Sequence, residues 1–191
     1  MILEELGERW WKRIVRHDLE RETTIIKTRG LRPREAIGRP ARAGYPLLRG
    51  REVMLQAEVR GAYGQAFTDE PSDYVGSLLS LRRTPLNTNR DRAVLVATIN
   101  ATYRYLGLVA NSQHCRDEGP ELCGKKVAME LSSKLHPDSK VVMIGFQPAL
   151  AYHISTALNN FRVTDMDSDN IGRVKEGILI EPYTLNREVI T

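Results

Sequence analysis

The sequence predicts an α/β protein in two parts, an α+β first part followed by a second part built on a parallel sheet. Three stretches carry that expectation: residues 52–67 read as a strand hairpin, 89–106 as a long apolar helix, and 140–182 as strand, helix and strand. The last is the firmest. Residues 140–145 (KVVMIG) are a near-continuous apolar run of the kind buried in a parallel sheet. Residues 148–158 follow as a helix with Pro148 at an early position, where its missing N–H costs nothing. Residues 161–164 (FRVT) return as a second strand, with 178–180 as a third. Such a unit opens a Rossmann-like domain.

The other elements follow from periodicity. In residues 2–20, Leu3, Leu6, Trp10, Ile14 and Val15 fall at helical spacing among charges, an amphipathic helix. Residues 23–28 (TTIIKT) are β-branched and read as a strand. The prolines and glycines of 30–50 predict a long loop or extended arm. Val53, Leu55, Ala57 and Val59 alternate with more polar neighbours as in a half-buried strand, and Gly61 and Gly64 bracket the turn to its partner. A polar loop over 68–73 leads to a short helix over 75–81. The helix over 89–106 is apolar nearly all round and stops at Gly107. It should lie deep, so the Asn100 amide should be buried and hydrogen-bonded, most simply to nearby backbone. A further helix spans 118–135, and the division falls in 109–119, giving domains 1–110 and 111–191.

With 191 residues, 41% of them hydrophobic, the chain can bury a sizeable core. No apolar run approaches the roughly 20 residues that span a bilayer, which argues against a membrane partner. The first residues are charged and lack a signal-like apolar stretch, so a cytoplasmic location is expected. The net charge of +4 is concentrated in arginines from Arg9 to Arg51, a solvated basic face, a subunit contact or a nucleic-acid-binding module.

The candidate ligand site is the turn after the strand at 140–145. In doubly wound sheets, ligands sit beyond the carboxyl ends of the strands, against helix N-termini. Gly145 would let a ligand approach the backbone, and Gln147 lies in the same turn. About twenty residues on, Asp165 stands where dinucleotide binders hold a ribose hydroxyl, followed by Asp167. The turn lacks the G-x-G-x-x-G fingerprint, and Pro148 removes an N–H, which disfavours a nicotinamide cofactor. An enzyme using a nucleotide or S-adenosylmethionine is the alternative. Residues 165–172 (DMDSDNIG) lack the sixth-position glycine and final glutamate of an EF-hand.

His114, Cys115 and Cys123 are candidate ligands for a transition-metal ion, with Asp117, Glu118 and Glu121 between them. Their spacing matches no zinc-finger pattern. Cys123 is expected in the first turn of a helix, where the dipole lowers a thiol pKa. No catalytic constellation is assigned; His114 is the preferred general base, and His153 is expected to be exposed.

The combination of GQAFTD (64–69), ATINATYRYLG (97–107), VVMIGFQPAL (141–150) and VTDMDSDNIG (163–172) resembles the Rossmann-like heavy-metal chelation domain family, over most of the chain from residue 52. The resemblance implies an enolase-N-terminal-like first domain. It also implies a small-ligand or metal site in an interdomain cleft lined by Thr68, Asp69, Asn100, Gly145, Gln147, Asp167 and Asn170. Members of that family continue with further strands, whereas this chain ends at Thr191 with the sheet incomplete. An open apolar edge is a liability. A homo-oligomer that completes the sheet, or a missing C-terminal portion, is therefore expected.

Overall fold

A computed structural model describes residues 2–21, 25–49, 52–110 and 115–185. The described residues form a mixed α/β chain with seven α-helices and two four-stranded sheets, one antiparallel and one mixed. Two compact units divide the chain: Met1–Ala36 with Arg49–Gln113, and Ile37–Leu48 with His114–Thr191. Part of the proline- and glycine-rich stretch read as an arm of the first half thus belongs to the second unit. It is also not all loop, because α2 (Pro33–Ile37) and α3 (Pro46–Arg49) form within it.

The first unit holds α1 (Ile2–Arg16), β1 (Ile25–Leu31), β2 (Val53–Val59), β3 (Ala62–Thr68), β4 (Tyr74–Ser77), α4 (Leu78–Arg82) and α5 (Asn89–Tyr105). Its antiparallel sheet has the order β3-β2-β1-β4. Val59 pairs with Ala62 across the two-residue turn Arg60–Gly61, whose φ angles of 50° and 80° meet the requirement of a type I′ hairpin. Gly64 does not bracket this turn as expected; it lies inside β3 opposite Ala57. A Cβ there would stand 2.1 Å from Ala101 N and 2.3 Å from Ala97 O, so the missing side chain is what lets α5 lie on the sheet.

The short helix expected over 75–81 is half strand. Tyr74 to Ser77 pair with β1, and the helix begins at Leu78 with Ser77 as its N-cap. Ser77 Oγ accepts from Ser80 N at 3.0 Å and Ser80 Oγ from Ser77 N at 2.9 Å, a reciprocal capping box. A second box, Thr88 with Asp91, starts α5, and Gly107 (φ 68°) follows its C-cap. Trp10, Ile14, Ile26, Leu55, Val59, Leu78 and Leu81 close against Ala93, Leu95, Ala97 and Ile99 of α5 in one continuous core.

The second unit holds α6 (Gly119–Lys134), β5 (Val141–Ile144), α7 (Pro148–Ala157), β6 (Phe161–Asp165), β7 (Val174–Lys175) and β8 (Ile178–Pro182). Strands β5, β6 and β8 are parallel neighbours. β7, which the sequence reading missed, adds an antiparallel edge through the turn Glu176–Gly177 and makes the sheet mixed. α6 and α7 pack together at Gly124, where a Cβ would stand 2.8 Å from Ala149 O. Val141 to Met143 are only half buried and Ile144 is exposed, so β5 is not enclosed on both faces as its apolar run suggested. Among the described residues, no helix is long and apolar enough to cross a membrane.

Candidate functional site

The carboxyl ends of β5, β6 and β8 lie at one edge of the mixed sheet, because the three strands run parallel. The turn after β5 is shaped by Gly145, whose φ of 88° favours glycine and whose Cβ position meets nothing within 4 Å. Backbone conformation, not crowding, calls for this glycine, and the space over it is open. Its N–H donates to Thr164 O at 2.7 Å, while the Thr164 hydroxyl is buried without a partner.

Asp165 organises both loops at this edge. Its Oδ2 accepts from Phe146 N at 3.0 Å and from Asn170 Nδ2 at 2.7 Å. Its Oδ1 accepts from Met166 N at 2.6 Å and Asp167 N at 3.0 Å. Burial by itself would push this carboxyl up. The Asp167 N–H, the Asn170 amide and the Phe146 and Met166 N–H groups outweigh it and hold the carboxyl below its ordinary range. The ribose-holding role expected of Asp165 therefore meets a carboxylate whose oxygens already accept four bonds, about its full capacity. Asn170 is buried and its Oδ1 accepts from Lys175 Nζ. Asp167 Oδ1 accepts from Asp169 N at 2.9 Å. Gln147 caps α7, its Oε1 accepting from Leu150 N at 2.6 Å. Much of the donor set a phosphate would use is satisfied from within the chain.

Thr68, Asp69 and Asn100 lie in the first unit, and each is bonded there. Thr68 Oγ1 accepts from Glu70 N at 3.0 Å, and Asp69 Oδ1 from Asn89 Nδ2 at 2.8 Å. Asn100 is exposed rather than buried, and its Nδ2 donates to Gln65 O of β3 at 2.9 Å. The helix meets the sheet on one side only, and Asn100 falls at the border of that side, where it reaches an edge strand.

The two cysteines come together. Burial first, and then the neighbouring Cys123 thiol, push the Cys115 thiol up. Cys123 is the fifth residue of α6, one turn beyond the expected position at its start. His114 lies outside the described residues. Among the described residues no group of three His, Cys, Asp or Glu side chains is arranged to hold a metal ion. Two of the acids between the cysteines, Asp117 and Glu121, are used otherwise. Asp117 Oδ1 accepts from Arg39 N at 2.9 Å, and Asp117 N donates to Ile37 O at 3.0 Å, anchoring the 37–48 segment.

A charge network that sequence reasoning missed completes that anchor. Arg42 Nε donates to Glu121 Oε1 at 2.7 Å, and Arg42 Nη1 pairs with Glu176. The guanidinium stacks 3.9 Å over the Tyr152 ring. His153 Nε2 donates to Glu121 Oε2 at 2.8 Å, and this side chain, expected to be exposed, is 11% accessible. Burial would raise the Glu121 carboxyl, but Arg42 and His153 hold it below the ordinary range. Tyr45, also in this segment, is buried; burial pushes its hydroxyl up to about 12, and the Ala149 N–H approaches it without full hydrogen-bond geometry. Arg9 and Arg29 are likewise paired, with Glu5 and Glu35, so part of the basic stretch is neutralised locally.

No family model, curated protein or solved structure matches this chain.

Proposed function

We propose that the protein binds a soft transition-metal ion, the kind of ligand that the resemblance to the heavy-metal chelation family implies, and that this chain's own Cys115 and Cys123 hold it. The observation that supports this reading is the meeting of the chain's two cysteines, the Cys115 thiol being influenced directly by Cys123. Thiolates are soft ligands, and two of them, with no third His, Cys, Asp or Glu donor grouped with them among the described residues, suit a low-coordinate ion such as Cu(I) better than tetrahedral zinc. His114 is the further donor the sequence offers. The second unit is read as a Rossmann-like domain and the first as enolase-N-terminal-like, in keeping with the same resemblance.

Because the Cys115 thiol is pushed up, it is protonated at neutral pH and must lose its proton on binding. Apparent affinity therefore rises with pH. The test is an anaerobic Cu(I) titration of reduced, tag-free protein, followed by thiolate-to-copper charge-transfer absorption. A stoichiometric band that strengthens with pH and disappears in Cys115→Ser and Cys123→Ser is expected. Absence of the band, or its survival in both variants, removes the proposal.

A second reading is favoured by Gly145. Its open, left-handed position at the carboxyl edge of parallel strands is where a small ligand such as a nucleotide or S-adenosylmethionine would sit. Thermal shift with each compound checks it, since a ligand bound only by the native state raises apparent stability.

A further inference from the structure

The chain's two cysteines flank the first residue of α6. Gly119 opens that helix, and a Cβ built there would lie 3.5 Å from Cys115 Cβ. Cys123 is four residues further, one turn along the same helix face, where Cβ positions are roughly 6 Å apart. Gly119 has no side chain to part the cysteines, and the two thiols are close enough to share a hydrogen bond. Both residues are part exposed, so a solution thiol or disulfide can reach them.

The loop between them carries two moorings. Asp117 accepts from Arg39 N and donates its own N–H to Ile37 O, and Glu121 accepts from Arg42 Nε. The chain leaves the first unit at Ala36 and returns to it at Arg49, and these two acids moor residues 37–48 in the second. A bond between the sulfurs would close a loop that contains both. We infer that Cys115 and Cys123 are a reversible dithiol–disulfide switch, exchanged with glutathione-type disulfides, whose closure tightens the hold of Asp117 and Glu121 on residues 37–48. One cysteine thiolate attacks a sulfur of glutathione disulfide and releases one glutathione thiolate. The second cysteine thiolate attacks the protein sulfur of that mixed disulfide, forms the Cys115–Cys123 bond and releases the other glutathione. Two electrons pass to glutathione, and the two thiol protons go to the released thiolates. Exposed disulfides are the labile ones, so reduced glutathione reopens the bond. The switch belongs to the metal-free protein and does not rest on the metal reading. Failure of copper binding leaves it standing, and failure of the disulfide leaves copper binding standing.

Reduced, chelator-treated, tag-free protein is equilibrated in glutathione buffers of rising oxidised fraction, quenched in acid and mass-analysed. The intact monomer should lose the mass of two hydrogens, and reduced glutathione should restore it. Trypsin cuts at Arg116, so the bond should appear as two peptides joined through Cys115 and Cys123. Cys115→Ser and Cys123→Ser should instead stop at the glutathione adduct. Amide exchange of the same chain, oxidised against reduced, reads the consequence. Protection at the Arg39 and Asp117 amides should rise about tenfold on oxidation, because the crosslink removes open states of the loop. A covalent dimer, a stable glutathione adduct on the unmutated chain, a bond that excess reduced glutathione leaves closed, or unchanged exchange at Arg39 and Asp117 overturns the inference.

Discussion

The two units are held together by different means. In the first, the antiparallel sheet and α5 share one continuous apolar core from Trp10 to Ala101. In the second, the buried apolar groups among the described residues include two small clusters, Phe146, Ala151, Val163 and Ile180 in one and Ala128, Ile154 and Leu158 in the other, with Ile37, Tyr45, Leu47 and Ala149 buried besides. Beside these the second unit carries polar hubs. Asp165 gathers three backbone N–H groups and an amide, and Arg42 joins Glu121 to Glu176. Apolar burial is non-directional and insensitive to protonation, whereas a carboxylate hub depends on both geometry and charge. The first unit should therefore answer to volume and the second to pH.

The largest effect is expected at Gly64. A methyl group there would press on α5 backbone at 2.1 Å, with no flexible side chain to give way. Gly64→Ala should cost about 3 kcal/mol or more, since overpacking against backbone cannot relax cheaply. Urea denaturation measures it, and a loss below about 1 kcal/mol would show that α5 slides freely on the sheet.

Next comes Asp165→Asn, which keeps the shape of the hub but replaces one acceptor by a donor. At least one of the N–H groups of Phe146, Met166 or Asp167 then loses its partner, for about 2 kcal/mol. Amide exchange should locate the loss at 145–147 and 165–170. A change spread evenly over both units would blur the contrast drawn between them.

Acid sharpens the same contrast. Asp165 and Glu121 have folded pKa values below their ordinary ones, so their contribution is present above the unfolded value, near 4, and is lost as pH falls through the folded value. Glu35 in the first unit is also held down by Arg29, but it is exposed and contributes little. Lowering pH below about 4 should loosen the second unit's amides before those of the first. Simultaneous loss of protection in both units would contradict this order. The smallest effect is expected at Lys134, whose pair with Glu130 is solvated; Lys134→Ala should leave the thermal midpoint in place.

Much of the secondary structure was legible along the chain because its signals are local. The alternation at 53–59, the apolar run at 141–144, Pro148 at the start of α7 and Gly107 after α5 each act within a few residues. Where reading failed, a tertiary contact had overridden the local pattern. Gly64 resembles a turn residue until α5 lies against it, and the segment 74–77 becomes strand because β1 offers it an edge. Asn100 shows the converse: an apolar helix suggested depth, but burial depends on which side meets the sheet.

The sequence by itself determined most of the helices and strands, the two-part α/β character, and the candidate turn at Gly145 with Asp165 about twenty residues on. Only the tertiary structure decided what those residues do. It turned Asp165 into an internal hub, brought Cys115 to Cys123, assigned residues 37–48 to the second unit, and joined Arg42 to carboxylates 79 and 134 residues away. Hydrophobic periodicity repeats within a few residues and can be read along the chain. A charged side chain has no such period, because its partner is whichever opposite charge the folded path brings within a few ångströms.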